Sequence, residues 1–330
     1  MNITVLGSGG WGTALALLLL DSGHDVTLWS HSQEGARWIL HKRENPYLQG
    51  VYIPEALHIT STFDSLPTSE LVVFATPSFA IRETARKCRD HLRPGAVLVT
   101  VSKGIEPETF LTATQIIAQE AGGGHPIAAL SGPSHAEEVS RKIPTGVVAA
   151  SADLAAAEWV QDAFMTPAFR VYTNADVTGV ELGGALKNVY AVCCGVSDGM
   201  GLGDNTKALL MTRGMTEMSR LGEAMGGRRD TFAGLAGMGD LIVTCTSMHS
   251  RNRRCGILVG QGKSVREAIR EVGATVEGYY AAASAAALAA KMGVEMPICQ
   301  SAYGVLYQDL PVSTVVEGLM TRQRKPESNG

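Results

Sequence analysis

The chain has 330 residues, 45% of them hydrophobic and 18% charged, which is enough for two domains with sizeable cores. A net charge of −4 gives no support to a nucleic-acid-binding surface. The apolar run 14–20 is too short to span a bilayer, and no Lys or Arg precedes it as a secretion signal would require.

In chain order, Ile3-Thr4-Val5-Leu6 leads into Gly7-Ser8-Gly9-Gly10-Trp11-Gly12 and then the apolar residues 13–20: strand, glycine turn, helix. Gly7, Gly9 and Gly12 fit G-x-G-x-x-G. The first glycine allows the turn, the second lets backbone approach a pyrophosphate, and the third lets the helix pack on the strand. The helix N-terminus offers free N–H groups to phosphate. Residues 25–29 form a second strand, whose end in a dinucleotide site would carry a carboxylate for the ribose 2′-OH. Here Ser30-His31-Ser32 follows, with no acid before Glu34, so NADP(H) is acceptable as well as NAD(H). His31 reads equally as a donor to a 2′-phosphate or as a surface-turn histidine.

Residues 33–43 are expected to be helical, and the loop holding Pro46 and Pro54 irregular. Strands are expected at 71–75, 96–101, 127–130, 145–150 and 169–172, with helices at 79–91, 109–120 and 153–164 between them. This alternation predicts an α/β, Rossmann-like, mostly parallel sheet covered on both faces, with ligands at the carboxyl ends of its strands. The polar groups at 76–78, 102–104 and 131–134 fall at such ends. Beyond Thr173 strand patterns cease, and helices are expected at 176–198, 204–225, 251–260, 264–272, 277–292, 297–308 and 311–322. The expected division is a dinucleotide-binding domain over 1–173 and an all-helical domain over 174–330. The polar tail 322–330 is expected to end loosely.

Several residues could carry chemistry. Lys103, in Ser-Lys-Gly at a strand end, reads as a contact for an anionic or carbonyl oxygen, or as a solvated lysine. Gly132 allows close backbone approach. Ser134 is expected to cap a short helix or donate to a ligand. Lys187 stands among Leu182, Leu186, Val189 and Val192. Partial burial there would lower its pKa toward the range of a general acid or base; the alternative is a lysine whose head reaches water. Asp240 follows two glycines and reads as a site residue or as the N-cap of a helix from Leu241. Ser250-Arg251-Asn252 opens a helix with a hydroxyl, a guanidinium and an amide. Arg253 and Arg254 add charge where cations oppose the helix dipole, so an anionic ligand is expected there. Glu277 in a first turn is favourable without any function. The six cysteines (88, 193, 194, 245, 255, 299) and eight histidines show no metal spacing, and buried free thiols in a reducing compartment are expected.

These motifs, in this order from Gly7 to about Tyr307, resemble the bacterial-type NAD(P)-dependent glycerol-3-phosphate dehydrogenases. The specific stretches are residues 7–12, 102–104, 131–134, 181–189, 237–241, 250–254 and 276–279. The resemblance implies interconversion of dihydroxyacetone phosphate and NAD(P)H with sn-glycerol 3-phosphate and NAD(P)⁺, supplying glycerophospholipid synthesis. It implies that Lys187 donates the proton, that Lys103 meets both substrate and cofactor, and that Gly132, Ser134, Asp240, Ser250, Arg251 and Asn252 hold the phosphorylated substrate. Gly10, Trp11, His31, Ala136, Arg251, Thr275 and Glu277 would line the cofactor. A homodimer is also implied, while the residues themselves read as a cytoplasmic chain with no membrane span, nucleic acid or metal. Two positions depart from the family pattern: Gly10 stands where relatives often have Ser, and Ser32 where many have a basic residue. Restoring a hydroxyl by Gly10→Ser is expected to tighten NAD(P)H binding if the backbone geometry is kept, whereas weaker binding would show that the bare glycine is needed. The competing readings are a reductase of the same plan acting on a 2-keto acid, and a non-catalytic NAD(P)-sensing protein.

Overall fold

Apolar residues of alternating direction build β1 (Asn2–Leu6), the first strand in the computed structural model, which describes residues 1–324, 326 and 327. Residues 325 and 328–330, where the loose end of the tail was expected, lie outside the described residues. Two compact units emerge: Met1–Lys103 with Leu111–Glu181, and Gly104–Phe110 with the described residues from Leu182 onward.

The first unit continues with α1 (Gly10–Asp21), β2 (Asp25–Trp29), α2 (Gln33–Lys42), β3 (His58–Thr60), β4 (Leu71–Phe74) and α3 (Ile81–Cys88). Then come β5 (Val97–Thr100), α4 (Ala113–Glu120), β6 (Ile127–Ser131), α5 (Ala136–Val139), β7 (Thr145–Ala150), α6 (Leu154–Phe164) and β8 (Phe169–Asn174). The sheet order is β3-β2-β1-β4-β5-β6-β7-β8, parallel throughout except where β7 runs antiparallel to β6. Both sheet faces are buried, so its central strands read as unbroken apolar runs. Ile3, Val5, Val73 and Val99 meet Leu15 and Leu19 of α1 and Val160 and Phe164 of α6 on one face. Leu6, Val72, Phe74 and Leu98 meet Ile81 of α3 and Ile116 and Ile117 of α4 on the other. The strand β3 lies inside the loop expected to be irregular. The helix expected at 109–120 begins only at Ala113, because Glu108 and Phe110 adopt left-handed φ of 66° and 60° that no α-helix accommodates.

The second unit holds most of α7 (Val177–Gly199), then α8 (Gly203–Ala224), α9 (Arg229–Phe232), a π-helical turn at Leu235–Gly239 and α10 (Asp240–Thr246). It continues with α11 (Arg251–Gly260), α12 (Val265–Val272), α13 (Glu277–Met292), α14 (Pro297–Tyr307) and α15 (Val312–Met320). Its core gathers Leu182, Leu186, Val189, Tyr190, Met218, Phe232 and Leu288 with Ile105 from the 104–110 segment. All six cysteines are free; five are buried and Cys193 is half-buried.

Candidate functional site

In the first unit, Gly7 takes a φ of +125°, donates its N–H to the Trp29 carbonyl at 3.0 Å, and leaves no room for a Cβ, which would lie 2.6 Å from the Ala75 carbonyl oxygen. Gly12 is held tighter still: a Cβ there would sit 1.9 Å from the Gly7 carbonyl oxygen. These contacts press α1 onto β1. Gly9 is the N-cap of α1 without a side-chain cap, and a Cβ on it would meet nothing within 4 Å. The first turn of α1 has no acidic residue, so its N–H groups and dipole are available to an anion.

Gly10 sits differently. A Cβ there would lie 2.4 Å from the Tyr47 carbonyl oxygen and 3.9 Å from the Ala136 Cβ. The loop after α2 and the first residue of α5 therefore both approach Gly10. The expected gain from Gly10→Ser is corrected by this contact: a side chain at 10 collides with backbone, so the geometry that expectation required is not kept.

Lys103 and Ser134 converge on one atom. Lys103 Nζ donates to the Gly132 carbonyl at 3.0 Å, and Ser134 Oγ donates to the same oxygen at 2.9 Å. Gly132, with φ +148°, follows β6 where a Cβ would lie 2.9 Å from Val147 Cα. Ser134 is not a helix cap: His135 is the N-cap of α5, with no side-chain cap bond. The buried hydroxyls of Thr76 and Ser131, just after β4 and at the end of β6, have no hydrogen-bond partner. Buried hydroxyls left unpaired are costly and point to a missing polar partner. With the open N-terminus at Gly9, they fit a dinucleotide at the carboxyl ends of the strands. His31 is exposed just past β2, and Trp11 is half-buried in the first turn of α1. Ser32 is the N-cap of α2, accepting the Gly35 N–H at 3.1 Å.

In the second unit, Lys187 is 5% exposed on α7. Its Nζ donates to Asp240 Oδ1 at 2.6 Å and to Thr244 Oγ1 at 2.5 Å. Gly183 makes this approach possible, since a Cβ there would stand 2.8 Å from the Ala236 carbonyl oxygen in the π-helical turn. Asp240 continues that turn directly into α10; Gly239, with helical φ and ψ, precedes it, so Asp240 is not a cap. Its carboxylate instead balances the buried ammonium. The lone buried lysine of the sequence reading is thus one half of a hydrogen-bonded ion pair.

At α11, Ser250 is the N-cap and accepts the Arg253 N–H at 3.2 Å, leaving its own O–H free to donate to a ligand. Arg251 is exposed in the first turn. Asn252 is engaged at both ends: Nδ2 donates to Asn188 Oδ1 at 2.9 Å, and Oδ1 accepts the Gly278 N–H at 2.9 Å. Arg253 is corrected as an anion contact, because its guanidinium bonds Asp198 at 2.8 Å and the Thr246 carbonyl at 2.7 Å. Arg254 keeps a buried Nε without a partner. Thr275 is half-buried just before α13, and Glu277 is half-buried as its first residue.

The structure thus brings together Lys103 with Gly132 and Ser134, Gly10 with Ala136, and Lys187 with Asp240. Among the described residues, no hydrogen bond joins His31 to these groups within the first unit, or Thr275 to Lys187 or Asp240 within the second. Thr244 and Asn188 were missed as partners. Thr244 carries a readable signal, since it stands four residues after Asp240 on one helix face. Asn188 pairs with a residue 64 positions away, which no local pattern reports.

The chain is similar over its length to known proteins. The family model for the NAD-dependent glycerol-3-phosphate dehydrogenase N-terminus matches residues 2–157, and that for the C-terminus matches 176–317. The chain is 51% identical over 328 residues to the glycerol-3-phosphate dehydrogenase [NAD(P)+] of Moorella thermoacetica, covering 99% of this chain and 97% of that one. It is 52% identical over 330 residues to the enzyme of the same name from Pelotomaculum thermopropionicum, covering 99% and 95%. Among solved structures, glycerol-3-phosphate dehydrogenase from Coxiella burnetii superposes with a TM-score of 0.93 at 38% identity, covering 97% of this chain and 98% of that one. With matches of this length in both halves, the chain belongs to the NAD-dependent glycerol-3-phosphate dehydrogenase family.

Proposed function

We propose that the protein interconverts dihydroxyacetone phosphate and NAD(P)H with sn-glycerol 3-phosphate and NAD(P)⁺, and so supplies glycerol 3-phosphate for glycerophospholipid synthesis. The observation that supports this reading most directly is the buried Lys187–Asp240 pair, which holds a proton-bearing nitrogen at a fixed place. Breaking such a pair by removing one partner costs about 3–5 kcal/mol, and apolar replacement is often at least as stable, so stability alone gives little reason to keep it. Residues 1–173, apart from the 104–110 segment that packs with the helices, serve as the dinucleotide domain, and the chain from 174 on serves as the substrate domain.

When bound, the nicotinamide supplies the hydride. Gly7, Gly9, Gly10, Trp11 and Gly12 shape the pyrophosphate cradle, and His31, Lys103, Ala136, Arg251, Thr275 and Glu277 complete the cofactor contacts. Arg251, Ser250 and Asn252 anchor the substrate phosphate, with Gly132 and Ser134 placing its remaining oxygens. Remote binding energy of this kind orients the reacting carbon. Lys187 Nζ gives its proton to the forming alkoxide and takes it back in the oxidative direction. Asp240 and Thr244 hold that nitrogen in place, and Lys103 steadies the substrate oxygens. The working form is a cytoplasmic homodimer, as in the family the sequence resembles.

The test is NADPH and NADH oxidation measured in parallel with dihydroxyacetone phosphate and with a panel of 2-keto acids. Turnover confined to dihydroxyacetone phosphate is expected. Turnover only with a 2-keto acid, or cofactor binding without turnover, would replace this reading with one of its rivals.

A further inference from the structure

We infer that Asn45 is a positioning residue for the dinucleotide, acting through the Ser8–Gly9 peptide without touching the cofactor; this rests on the dinucleotide reading of residues 7–12. Asn45 lies in the loop after α2 and is 1% exposed, although Glu44, Pro46 and Tyr47 around it are exposed. Its amide makes three hydrogen bonds. Nδ2 donates to the Ser8 carbonyl at 2.9 Å and to Thr13 Oγ1 at 2.7 Å, and Oδ1 accepts the Tyr47 N–H at 2.9 Å. A carbonyl on one side and an N–H on the other fix which end of the amide is nitrogen.

The consequence follows from peptide geometry. A trans peptide is planar, with C=O and N–H pointing in opposite directions. Holding the Ser8 carbonyl toward Asn45 therefore aims the Gly9 N–H away from the loop, and Gly9 is the residue whose surroundings are open. That N–H belongs to the cradle at the start of α1, where donors fixed before binding need no reordering when an anion arrives. Thr13, one turn into α1, is fully buried, so the same amide ties the turn to the helix it opens. The Tyr47 carbonyl in turn fills the space where a side chain at position 10 would sit. Gly10, Tyr47 and Asn45 form one clamp in which loop backbone stands in for the missing side chain.

The test measures binding of NADPH, ADP-ribose and AMP to the full-length protein and to Asn45→Ala and Asn45→Asp, with thermal melting to confirm folding. Asp keeps the acceptor for Tyr47 and the side-chain shape but loses both donors. In both variants Kd for NADPH and ADP-ribose is expected to rise together by about tenfold, the equivalent of one hydrogen bond to a charged group. AMP, which has no pyrophosphate, is expected to keep its affinity. The KM for NADPH rises while kcat at saturating cofactor changes little. Unchanged NADPH and ADP-ribose affinity in a folded variant overturns the inference, as does an equal loss for AMP. An Asn45→Asp protein that behaves as wild type while Asn45→Ala does not reduces Asn45 to a loop anchor and also overturns it. If neither variant folds, Gly10→Ala, which displaces the Tyr47 carbonyl, must give the same ligand pattern, and a different pattern counts against the clamp. A wild-type protein that binds neither NADH nor NADPH removes the dinucleotide reading itself, a separate outcome.

Discussion

Single atoms decide two of the residue-scale outcomes. At position 10 a hydroxymethyl group has nowhere to go, since even its Cβ would lie 2.4 Å from the Tyr47 carbonyl oxygen. Gly10→Ser is therefore expected to raise Kd for NADPH by about fivefold or more, the equivalent of at least about 1 kcal/mol of overpacking. Fluorescence titration checks this, and tighter binding would show that the loop yields freely. At the head of α11, Arg251 is exposed and Arg253 is committed to Asp198, so the proposed phosphate contact is assigned to Arg251. Arg251→Ala is expected to raise KM for dihydroxyacetone phosphate by at least tenfold, because a charge-assisted hydrogen bond contributes about 1.5–3 kcal/mol. Steady-state kinetics at saturating cofactor measure it, and an unchanged kcat/KM would refute the anchoring role.

Elements meet here through small residues and buried carboxylates. α7 and α11 approach with glycine against backbone: a Cβ on Gly195 would lie 2.1 Å from the Arg253 carbonyl oxygen, and one on Gly256 2.1 Å from that of Val192. This seam sets α11, with its Ser250–Asn252 head, against the helix that carries Lys187. On the other side of α7, Tyr190 donates to Glu217 Oε2 at 3.0 Å, and Glu217 accepts the N–H groups of Ile298 and Cys299 in the first turn of α14. Burial holds the Glu217 carboxyl above its ordinary value of 4.5, against the opposing pull of those donors. A carboxyl whose folded pKa is raised stabilises the fold fully below the unfolded pKa, and that contribution is lost as pH rises through the folded value. Relative to wild type, Glu217→Gln should therefore become progressively more stable as pH rises from about 4.5, the ordinary glutamate range. Melting temperatures of the two proteins across this range test it; a difference that does not change with pH would contradict the assignment.

At the scale of the whole molecule, what was legible in the sequence was what local periodicity encodes. The glycine turn, the βα alternation and the late run of helices all repeat over a few residues, and the structure contains them. The π-helical turn and β3 were not legible, because a five-residue distortion and a three-residue strand leave no periodic trace. The assignment of residues 104–110 to the helical unit was likewise hidden, since it depends on Ile105 joining a core that resumes only at Leu182. Within the site, glycines and lysines showed as residue types out of place, whereas their partners did not. Asp198 neutralises Arg253 from 55 positions away, and Asn45 reaches Ser8 from 37. Long-range pairs of this kind are properties of the folded chain, and they separated Arg253 from Arg251.

The proposed reaction depends most on Lys187 as the proton donor. The direct measurement is turnover of Lys187→Ala with dihydroxyacetone phosphate and saturating NADPH, alongside the Kd for NADPH and a melting curve for the same protein. A folded protein with near-wild-type cofactor affinity is expected, with kcat lowered by about 10²–10⁴-fold, the contribution of a positioned general acid. A folded Lys187→Ala protein that reduces dihydroxyacetone phosphate at close to the wild-type rate would contradict it.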